Sequence, residues 1–395
     1  MARVLILGSG AAGLLAAEGL AEVARDGEQV TVIGEQADFQ VASGSPWNGA
    51  PESAQFDLPR ALERKGVSFR SAGVRRLYPE SNQVELGDGT RIDYDVVLIA
   101  AGPRAAFEEI EGLGPDGFTQ SLCEPQHASA CARAWHALLA SPGPVIVGAV
   151  QGASCLAPAY ESALRIDAEL RRHGVRAAAP ITFITPEPFV GELGVGGLED
   201  SRVRLEHAFA SRGISWIDRA VVDKVEPGSM RVRRLDEHGQ CIARYALRFR
   251  YALMMPPSRP VAAVAGIDGL TDDRGFLIVD EHLRNPRYRN IYAAGAAITN
   301  DAAAAVAHKT PYMIEGMVET ALHNIREQLD GREPRARASW SAARLAELGA
   351  GGLAFIADPR SSLEPQHGMR SGEWISLSRC ASCDAGQAGR PVPLR

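Results

Sequence analysis

The sequence predicts an α/β fold in which two βαβ units of the nucleotide-binding type stand in tandem, followed by a short tail domain. A strand, a glycine-rich turn and an alanine-rich helix open the chain as ARVLILGSGAAGLLAAEGL (2–20). A second strand and small-residue turn, PVIVGAVQGA (144–153), lead into another helical stretch. Because an apolar strand joined to a helix by such a turn begins a βαβ unit, the two openings predict two parallel sheets.

Length and composition indicate an ordinary globular protein. The 395 residues suffice for two or three domains, and 46% of them are hydrophobic and 23% charged. The net charge of −6 argues against a nucleic-acid partner. No apolar run approaches the ~20 residues of a membrane-spanning helix, and the first strand starts at residue 2, so we expect a cytoplasmic protein without a signal peptide. Six cysteines are too few for a disulfide framework.

The first turn has the glycine spacing of a dinucleotide-binding loop. Gly8, Gly10 and Gly13 form G-x-G-x-x-G between strand and helix, and Glu35 ends the second predicted strand about 20 residues later. The first glycine permits the turn, the second lets the backbone approach a pyrophosphate, and the third lets helix and strand pack closely. The carboxylate hydrogen-bonds a ribose hydroxyl. Strand, glycines, helix and acid together predict a dinucleotide site.

Two later strands indicate which dinucleotide is bound. DYDVVLIAAG (93–102) ends at Ala101 and Gly102, and NIYAAGAA (290–297) contains Gly295 and Ala296. Both resemble the later FAD-contacting strands of the two-dinucleotide-fold flavoproteins, the glutathione-reductase-like group. The resemblance implies tandem Rossmann-like domains and FAD, since FAD passes all three segments whereas NAD needs only the first. That group usually has an acid where this chain has Ala296.

The second βαβ unit is expected to lack an NADH site. Its turn, VGAVQGAS, does not have the full glycine spacing, and its second strand ends at Thr185 and Pro186 without an acid or base for a ribose. We place the FAD-binding domain at residues 1–112 and 256–330, the second Rossmann-like domain at 113–255 and the C-terminal domain at 331–395. A linker rich in Arg, Pro and Ser, GREPRARAS (331–339), precedes the last of these.

A lone cysteine, Cys155, stands where the helix of the second unit is predicted to begin. Partial positive charge at a helix N-terminus lowers the pKa of a thiol and favours the thiolate, so Cys155 is a candidate nucleophile if the turn faces a flavin. The alternative is a small buried hydrophobic residue, which is the commoner fate of a single cysteine.

Several segments resemble sulfide:quinone oxidoreductases and occur in the same order as in that family. GASCLAPAYE (152–161) is similar to the family's first redox-cysteine segment. The other similar segments are FQVASGSPWNGA (39–50), SLCEPQHA (121–128), PEPFVGELGVGG (186–197), KTPYMIEGM (309–317) and AELGAGGLAFIADP (346–359). The resemblance implies an FAD enzyme that oxidises sulfide, or a related sulfane-sulfur or thiol substrate, and passes electrons to a quinone.

The same resemblance implies roles for single residues. Cys155 would be a redox cysteine that carries a persulfide or polysulfide, Glu161 and His127 would manage protons, and Cys123 would be helpful but dispensable. Alternatively, His127 caps the helix that begins near Ala128 and Glu161 is a solvated acid. The residues expected to contact FAD are Gly8, Gly10, Gly13, Glu35, Pro46, Trp47, Ala101, Gly102, Gly295, Ala296, Lys309 and Thr310.

The chain departs from that family around its second redox cysteine. NDAAAAVAHKTP (300–311) contains no cysteine, Pro311 replaces the usual glycine, and Glu192 stands where many relatives carry histidine. Cys380 and Cys383 form a C-x-x-C near the C-terminus, and we count both as candidate catalytic residues of a substitute dithiol relay. Incidental thiols and half of a zinc site shared across a dimer are the alternatives, and we assign no metal ligands.

The C-terminal region bears on location and partners. Sulfide:quinone oxidoreductases usually have amphipathic C-terminal membrane helices, and GEWISLSR (372–379) resembles a shortened form of that region. We therefore expect weak or absent membrane attachment, at most peripheral at the inner membrane face. A homodimer is compatible with the sequence. One alternative function is a regulatory flavoprotein that lost the relay. Another is a flavocytochrome-c-type sulfide dehydrogenase subunit. Such subunits usually carry a cysteine near position 41, so Val41 argues against this alternative. The degenerate second turn opposes a type-II NADH dehydrogenase.

Overall fold

The computed structural model describes residues 2–43, 52–154, 156–193, 201–299 and 311–338, and the backbone of three further strands (342–347, 352–357 and 375–377). Within these residues six α-helices alternate with mostly short strands. The helices are α1 (Ala11–Val23), α2 (Leu58–Glu63), α3 (Ala128–Ala140), α4 (Ala157–Arg172), α5 (Ser201–Ala210) and α6 (Pro311–Leu329).

The described strands are, in chain order, β1 (Ala2–Leu7), β2 (Glu28–Gly34), β3 (Asp38–Ser43), β4 (Glu52–Asp57), β5 (Ser68–Ser71), β6 (Val74–Tyr78), β7 (Gln83–Leu86), β8 (Arg91–Asp93), β9 (Val96–Ile99), β10 (Arg104–Ala105), β11 (Val145–Ala149), β12 (Ile181–Ile184), β13 (Ile214–Ile217), β14 (Ala220–Glu226), β15 (Ser229–Leu235), β16 (Cys241–Arg248), β17 (Tyr251–Met255), β18 (Ser258–Arg259), β19 (Leu277–Ile278), β20 (Ile291–Ala293), β21 (Ile298–Thr299), β22 (Ala342–Glu347), β23 (Gly352–Ala357) and β24 (Ile375–Leu377).

A five-stranded parallel sheet is the centre of the first of two compact units, which comprises Met1–Gln40, Gln55–Ala105 and Ser258–Ala342. Its strand order is β20-β9-β1-β2-β5. The central strand β1 pairs with β2 and β9 in parallel, so that Val4 is level with Val96. All residues of β9 are buried, which explains why the strand reads as a continuous apolar run in the sequence.

The segment after α6 is attached to this first unit by a buried amide. The side chain of Asn324 donates to the carbonyl oxygens of His282 and Ala336 at 2.9 and 2.8 Å. Its oxygen accepts from the backbone N–H groups of Arg335 and Ala336 at 3.1 and 3.0 Å. Residues 332–338 form no helix or strand, yet they follow the surface of the unit instead of leaving it.

The second compact unit comprises Val41–Ala54, Ala106–Pro257 and Ala343–Arg395. It contains a four-stranded parallel sheet in the order β13-β12-β11-β17 and an antiparallel sheet in the order β14-β15-β16. A buried apolar cluster joins the two sheets and includes Ile146 and Val232. Strands β22, β23 and β24 form a further three-stranded sheet.

The observed architecture confirms the predicted α/β fold. Helix α4 falls within the predicted APAYESALRIDAELRRHG, and α5 ends two residues before the expected Arg212. Strand β9 is shorter than the apolar run 93–102, since it comprises only Val96–Ile99. In the described part of the chain, no helix combines the length and hydropathy needed to cross a bilayer.

Candidate cofactor site and redox turn

The turn between β1 and α1 is tightly packed on one side and open on the other. Gly8 has a φ of +115°, and a Cβ on it would lie 2.8 Å from Ala101 Cα. A Cβ on Gly13 would lie 1.9 Å from the carbonyl oxygen of Gly8. By contrast, a Cβ on Gly10 would meet no atom within 4 Å. The turn therefore keeps free space at the glycine that approaches a pyrophosphate in dinucleotide folds.

Helix α1 presents an uncompensated N-terminus at this open space. Gly10 is its N-cap and supplies no side-chain cap, and its first turn contains no acidic residue. The free N–H groups and the helix dipole therefore remain available to an anion. This arrangement fits the pyrophosphate of a dinucleotide.

Glu35 follows directly after β2, as the sequence predicts, and it is exposed. It lies beside Gly73, whose Cβ position is 3.2 Å from Glu35 Cγ. At the end of the same strand, a Cβ on Gly34 would lie 2.4 Å from Ser9 Oγ, so the glycine turn and the end of β2 are adjacent. An exposed carboxylate next to the turn fits the role of a ribose ligand.

Backbone hydrogen bonds bring the later strands to the same edge of the sheet. The N–H of Ala100 donates to Leu7 at 2.9 Å, and the N–H of Ala294 donates to Ile99 at 3.0 Å. These bonds carry the chain directly to the segments Ala101–Gly102 and Gly295–Ala296. The first unit thus gathers eight of the predicted FAD contacts, which are Gly8, Gly10, Gly13, Glu35, Ala101, Gly102, Gly295 and Ala296.

Seven of the predicted site residues lie outside the described residues. They are Pro46, Trp47, Cys155, Lys309, Thr310, Cys380 and Cys383.

In the second unit, the turn after β11 is attached to the small antiparallel sheet by Gln151. Its side-chain amide donates to the Val222 carbonyl oxygen at 2.9 Å and accepts from the Val222 N–H at 2.9 Å. The strand β14 is an edge strand, so its outward peptide groups need such a partner. The turn is thus fixed by a glutamine in the region where a full dinucleotide loop has glycines.

Helix α4 begins just after this turn. Leu156 is its N-cap and makes no side-chain cap hydrogen bond, and Cys155 is the preceding residue in the sequence. Glu161 is half-buried on the same helix. The helix start expected from the sequence is therefore observed next to the cysteine position.

His127 precedes α3 but does not cap it through its side chain. The imidazole packs edge-on against Phe107 with ring centroids 5.7 Å apart, and its Nε2 is 3.7 Å from Glu124 Oε2. Its Nδ1 is buried and has no hydrogen-bond partner among the described residues. His127 therefore occupies the N-cap position of α3 without making a side-chain capping bond.

The remaining described cysteines have different surroundings. Cys123 is exposed, and its backbone N–H donates to Ser121 Oγ at 3.1 Å. Cys131 is buried with its Sγ 3.0 Å from the Tyr251 hydroxyl, and burial raises the pKa of its thiol to about 11. Such a thiol stays protonated, which matches a structural role. Cys241 is exposed at the start of the edge strand β16.

The sequence interpretation missed Glu187, which lies three residues beyond β12. Its carboxylate is buried and accepts hydrogen bonds from the hydroxyls of Tyr160 and Thr185 and from the N–H of Leu193. Burial raises the pKa of Glu187 to about 7, although the hydrogen bonds from Thr185 and Tyr160 oppose the rise. An acid inside the otherwise apolar PEPFVG was the only available sequence signal.

Comparisons with known proteins identify the family of the chain. Residues 2–310 match the sequence model of the family described as pyridine nucleotide-disulphide oxidoreductase. The sulfide-quinone reductase of Aquifex aeolicus is 29% identical over 391 residues, which cover 96% of this chain and 89% of that protein.

Two further comparisons cover most of the chain. The X-ray structure of the sulfide:quinone oxidoreductase from the hyperthermophilic bacterium Aquifex aeolicus superposes with a TM-score of 0.84, covering 95% of this chain and 87% of that one. An NADH dehydrogenase-like protein of Mycobacterium tuberculosis is 26% identical over 309 residues, which cover 75% of this chain and 72% of that protein. The resemblance to sulfide:quinone oxidoreductases that the motifs indicate is confirmed.

Proposed function

We propose that this chain, which belongs to the pyridine nucleotide-disulphide oxidoreductase family, oxidises sulfide or a related sulfane-sulfur or thiol substrate and delivers the electrons to a quinone. The chain is an oxidoreductase and a flavoprotein, and its cofactor is FAD. The observation that carries the proposal is the similarity over 96% of the chain to the sulfide-quinone reductase of Aquifex aeolicus.

The first unit supplies the residues that would hold the FAD. The open space at Gly10 and the N-terminus of α1 suit the pyrophosphate, and the exposed Glu35 suits a ribose hydroxyl. When bound, FAD supplies two-electron redox chemistry. Ala296 cannot hydrogen-bond the ribityl chain through its side chain, so we propose that backbone groups near Gly295 hold it instead.

Cys155 is the proposed nucleophile. Conversion of HS⁻ to sulfane sulfur on a thiol releases one proton and two electrons, and the electrons reduce the quinone. Because HS⁻ and a thiolate are both nucleophiles, an S–S bond between them would form only with a two-electron acceptor, which FAD would supply when bound. The position just before the N-cap of α4 favours the thiolate form of Cys155. The pair Cys380 and Cys383 is proposed as the second thiol site, because residues 300–311 contain no cysteine.

Glu161 and His127 are the proposed proton acceptors. The unpartnered Nδ1 of His127 supports this role, since it can take a proton without breaking a hydrogen bond in the described residues. Glu161 lies on α4, six positions after Cys155 in the sequence.

A regulatory flavoprotein is the second candidate, and the absence of a cysteine from NDAAAAVAHKTP favours it. An NADH dehydrogenase is less well supported despite the Mycobacterium relative. Both oxygens of Glu187, the acid that follows β12, accept hydrogen bonds from the protein, so this carboxylate is not available to the ribose of NADH. In addition, the turn after β11 is fixed by Gln151.

Anaerobic flavin bleaching tests the proposal. Sulfide together with a quinone analogue is expected to bleach and then restore the flavin absorbance of the purified protein. Cys155→Ser should abolish bleaching and retain FAD, whereas Cys241→Ser, at an exposed position on β16, should change neither. Bleaching by NADH in place of sulfide would establish the dehydrogenase, and bleaching by neither reagent would establish the regulatory flavoprotein.

A further inference from the structure

The carboxylate of Glu187 joins three segments of the second unit. Glu187 is only 4% exposed. One oxygen accepts from the Tyr160 hydroxyl on α4 and from the Thr185 hydroxyl at the end of β12, and the other accepts from the N–H of Leu193. A buried carboxylate with three donors on three segments fixes their mutual positions.

Tyr160 transmits this constraint to α4. Its hydroxyl donates to Glu187 and accepts from the N–H of Gly191 at 3.0 Å. Its ring packs against Phe183 and Phe209, with centroids 4.6 and 5.9 Å away. The side chain is therefore held at its tip and along its ring, and a shift of the loop would move the helix.

The loop 186–193 has further anchors, but its conformation is disfavoured in isolation. The N–H of Arg219 donates to the Glu187 carbonyl oxygen at 2.8 Å, and Ser201 Oγ donates to the Gly191 carbonyl oxygen at 2.6 Å. Leu193 has a φ of +61°, a left-handed conformation that L-residues other than glycine rarely adopt. Its N–H bond to the carboxylate stabilises this conformation.

The protonation of Glu187 decides whether all three bonds persist. An ionised carboxylate accepts from all three donors, whereas a protonated one also carries a hydrogen that needs an acceptor, so the geometry of at least one of these bonds changes. Burial raises the pKa of Glu187 to about 7. Among the described residues, the titratable groups that influence this carboxyl are Tyr160 on α4 and Glu192 on its own loop.

We propose that Glu187 is a positioning residue for the sulfur chemistry of this chain: through Tyr160 and Leu193 it holds the loop 186–193 against α4, the helix that follows Cys155. This inference rests on the proposed function, and it adds a residue that acts without touching substrate or cofactor. A change in the protonation of Glu187 alters the bonds that hold the loop against the helix, so the reactivity of Cys155 depends on pH through a group other than its own thiol.

Alkylation of Cys155 by iodoacetamide tests this inference in the full-length, FAD-loaded protein. The rate is measured from pH 6 to 8.5 by mass spectrometry of the Cys155 peptide. The wild type is expected to show an inflection near pH 7 in addition to the thiol's own titration. Glu187→Gln should remove the inflection and change the rate about tenfold at one end of the range.

Asp167→Asn is the matched control. Asp167 is buried on the same helix and accepts from Arg171 and Arg176 at 2.9 and 2.6 Å, away from the Glu187 bonds. This variant should lower thermal stability but keep the inflection. Tyr160→Phe, which removes one donor to Glu187 and the acceptor of the Gly191 N–H, provides a second variant if Glu187→Gln does not fold, and it should shift the inflection.

Identical pH profiles of alkylation in the wild type, Glu187→Gln and Tyr160→Phe would overturn the inference, as would loss of the inflection in Asp167→Asn. Parallel measurement of sulfide bleaching separates the two proposals. Absence of bleaching in the wild type overturns the proposed function, while the alkylation profile still decides whether Glu187 positions the cysteine.

Discussion

Gly13 lies against Gly8 so closely that a Cβ atom on Gly13 would be 1.9 Å from the Gly8 carbonyl oxygen. Gly10 lies two residues after Gly8, at the N-cap of α1, and a Cβ atom on Gly10 would meet no atom within 4 Å. One turn therefore contains a glycine required by the protein itself and another whose space suits a ligand.

Alanine substitutions should separate these two requirements. Gly13→Ala is expected to destabilise the protein by about 3 kcal/mol, because the methyl group overlaps backbone atoms, and to release FAD as a result. Gly10→Ala should leave the unfolding free energy of the FAD-free protein nearly unchanged while weakening FAD binding at least about tenfold. Denaturant unfolding and FAD titration measure the two effects.

Gly316 in α6 provides the control for this pair. Its Cβ position is also open, and it lies in a helix interior, so Gly316→Ala should stabilise the fold by about 0.5–1 kcal/mol without altering FAD affinity. Equal loss of FAD in all three variants would contradict the distinction between Gly10 and Gly13.

The raised pKa of Glu187 predicts a pH-dependent stability. The pKa rises from 4.5 in the unfolded chain to about 7 in the folded protein, so the folded state holds the proton more tightly. The contribution is complete below about pH 4.5 and is lost as pH rises through about 7, by roughly 3 kcal/mol in total. Glu187→Gln lacks this term, so its destabilisation relative to the wild type should be larger at pH 5 than at pH 8.

Urea unfolding of both proteins at these two pH values measures the difference. Glu169→Gln, which replaces an acid on α4 that pairs with Arg172, should show no comparable change between pH 5 and pH 8. A destabilisation by Glu187→Gln that grows with pH would show that the folded state favours the ionised carboxylate, so that the three hydrogen bonds outweigh the burial of the charge.

Loss of the imidazole at His127 should slow sulfide-dependent flavin bleaching. If His127 accepts a proton during sulfide oxidation, His127→Ala is expected to lower the bleaching rate on the order of a hundredfold and to retain FAD. His238→Ala, at an exposed turn of the same unit, is the matched control and should have the wild-type rate. Stopped-flow absorbance records both, and an unchanged rate in His127→Ala would exclude the histidine from the reaction.

Removal of the Asn324 amide should free the segment that follows α6. Asn324→Ala deletes four hydrogen bonds to His282, Arg335 and Ala336, at an expected cost of about 2–4 kcal/mol. Trypsin should then cleave faster after Arg335 and Arg337, which are exposed. Cleavage at the wild-type rate would show that other contacts are sufficient to hold the segment. Thr320→Ala on the same helix is the control, because its hydroxyl donates within α6, to the Gly316 carbonyl oxygen.

Local sequence patterns were sufficient to predict much of the fold and part of the site. The apolar strands, the glycine spacing and the start of α4 depend on neighbouring residues, and they appear where the patterns place them. The position of Glu35 after β2 follows in the same way, because strand length and the βαβ connection fix it.

The contacts that the sequence did not indicate are long-range. Glu187 meets Tyr160 across 27 positions, and Gln151 meets Val222 across 71. No periodicity encodes such pairs, since they depend on how sheets and helices pack. Residues 331–339 have the composition of a linker. The residue that binds this segment to the first unit, Asn324, lies outside it, so the composition of the segment alone does not reveal the contact.

The pairing of Gln151 with Val222 also has a consequence for the behaviour of the protein in concentrated solution. Unsatisfied peptide groups on an outer strand are the points where one polypeptide adds to another and sheets grow between molecules. A single side chain covers this position on β14, so its replacement by a residue without an amide should promote intermolecular aggregation before it reduces catalysis.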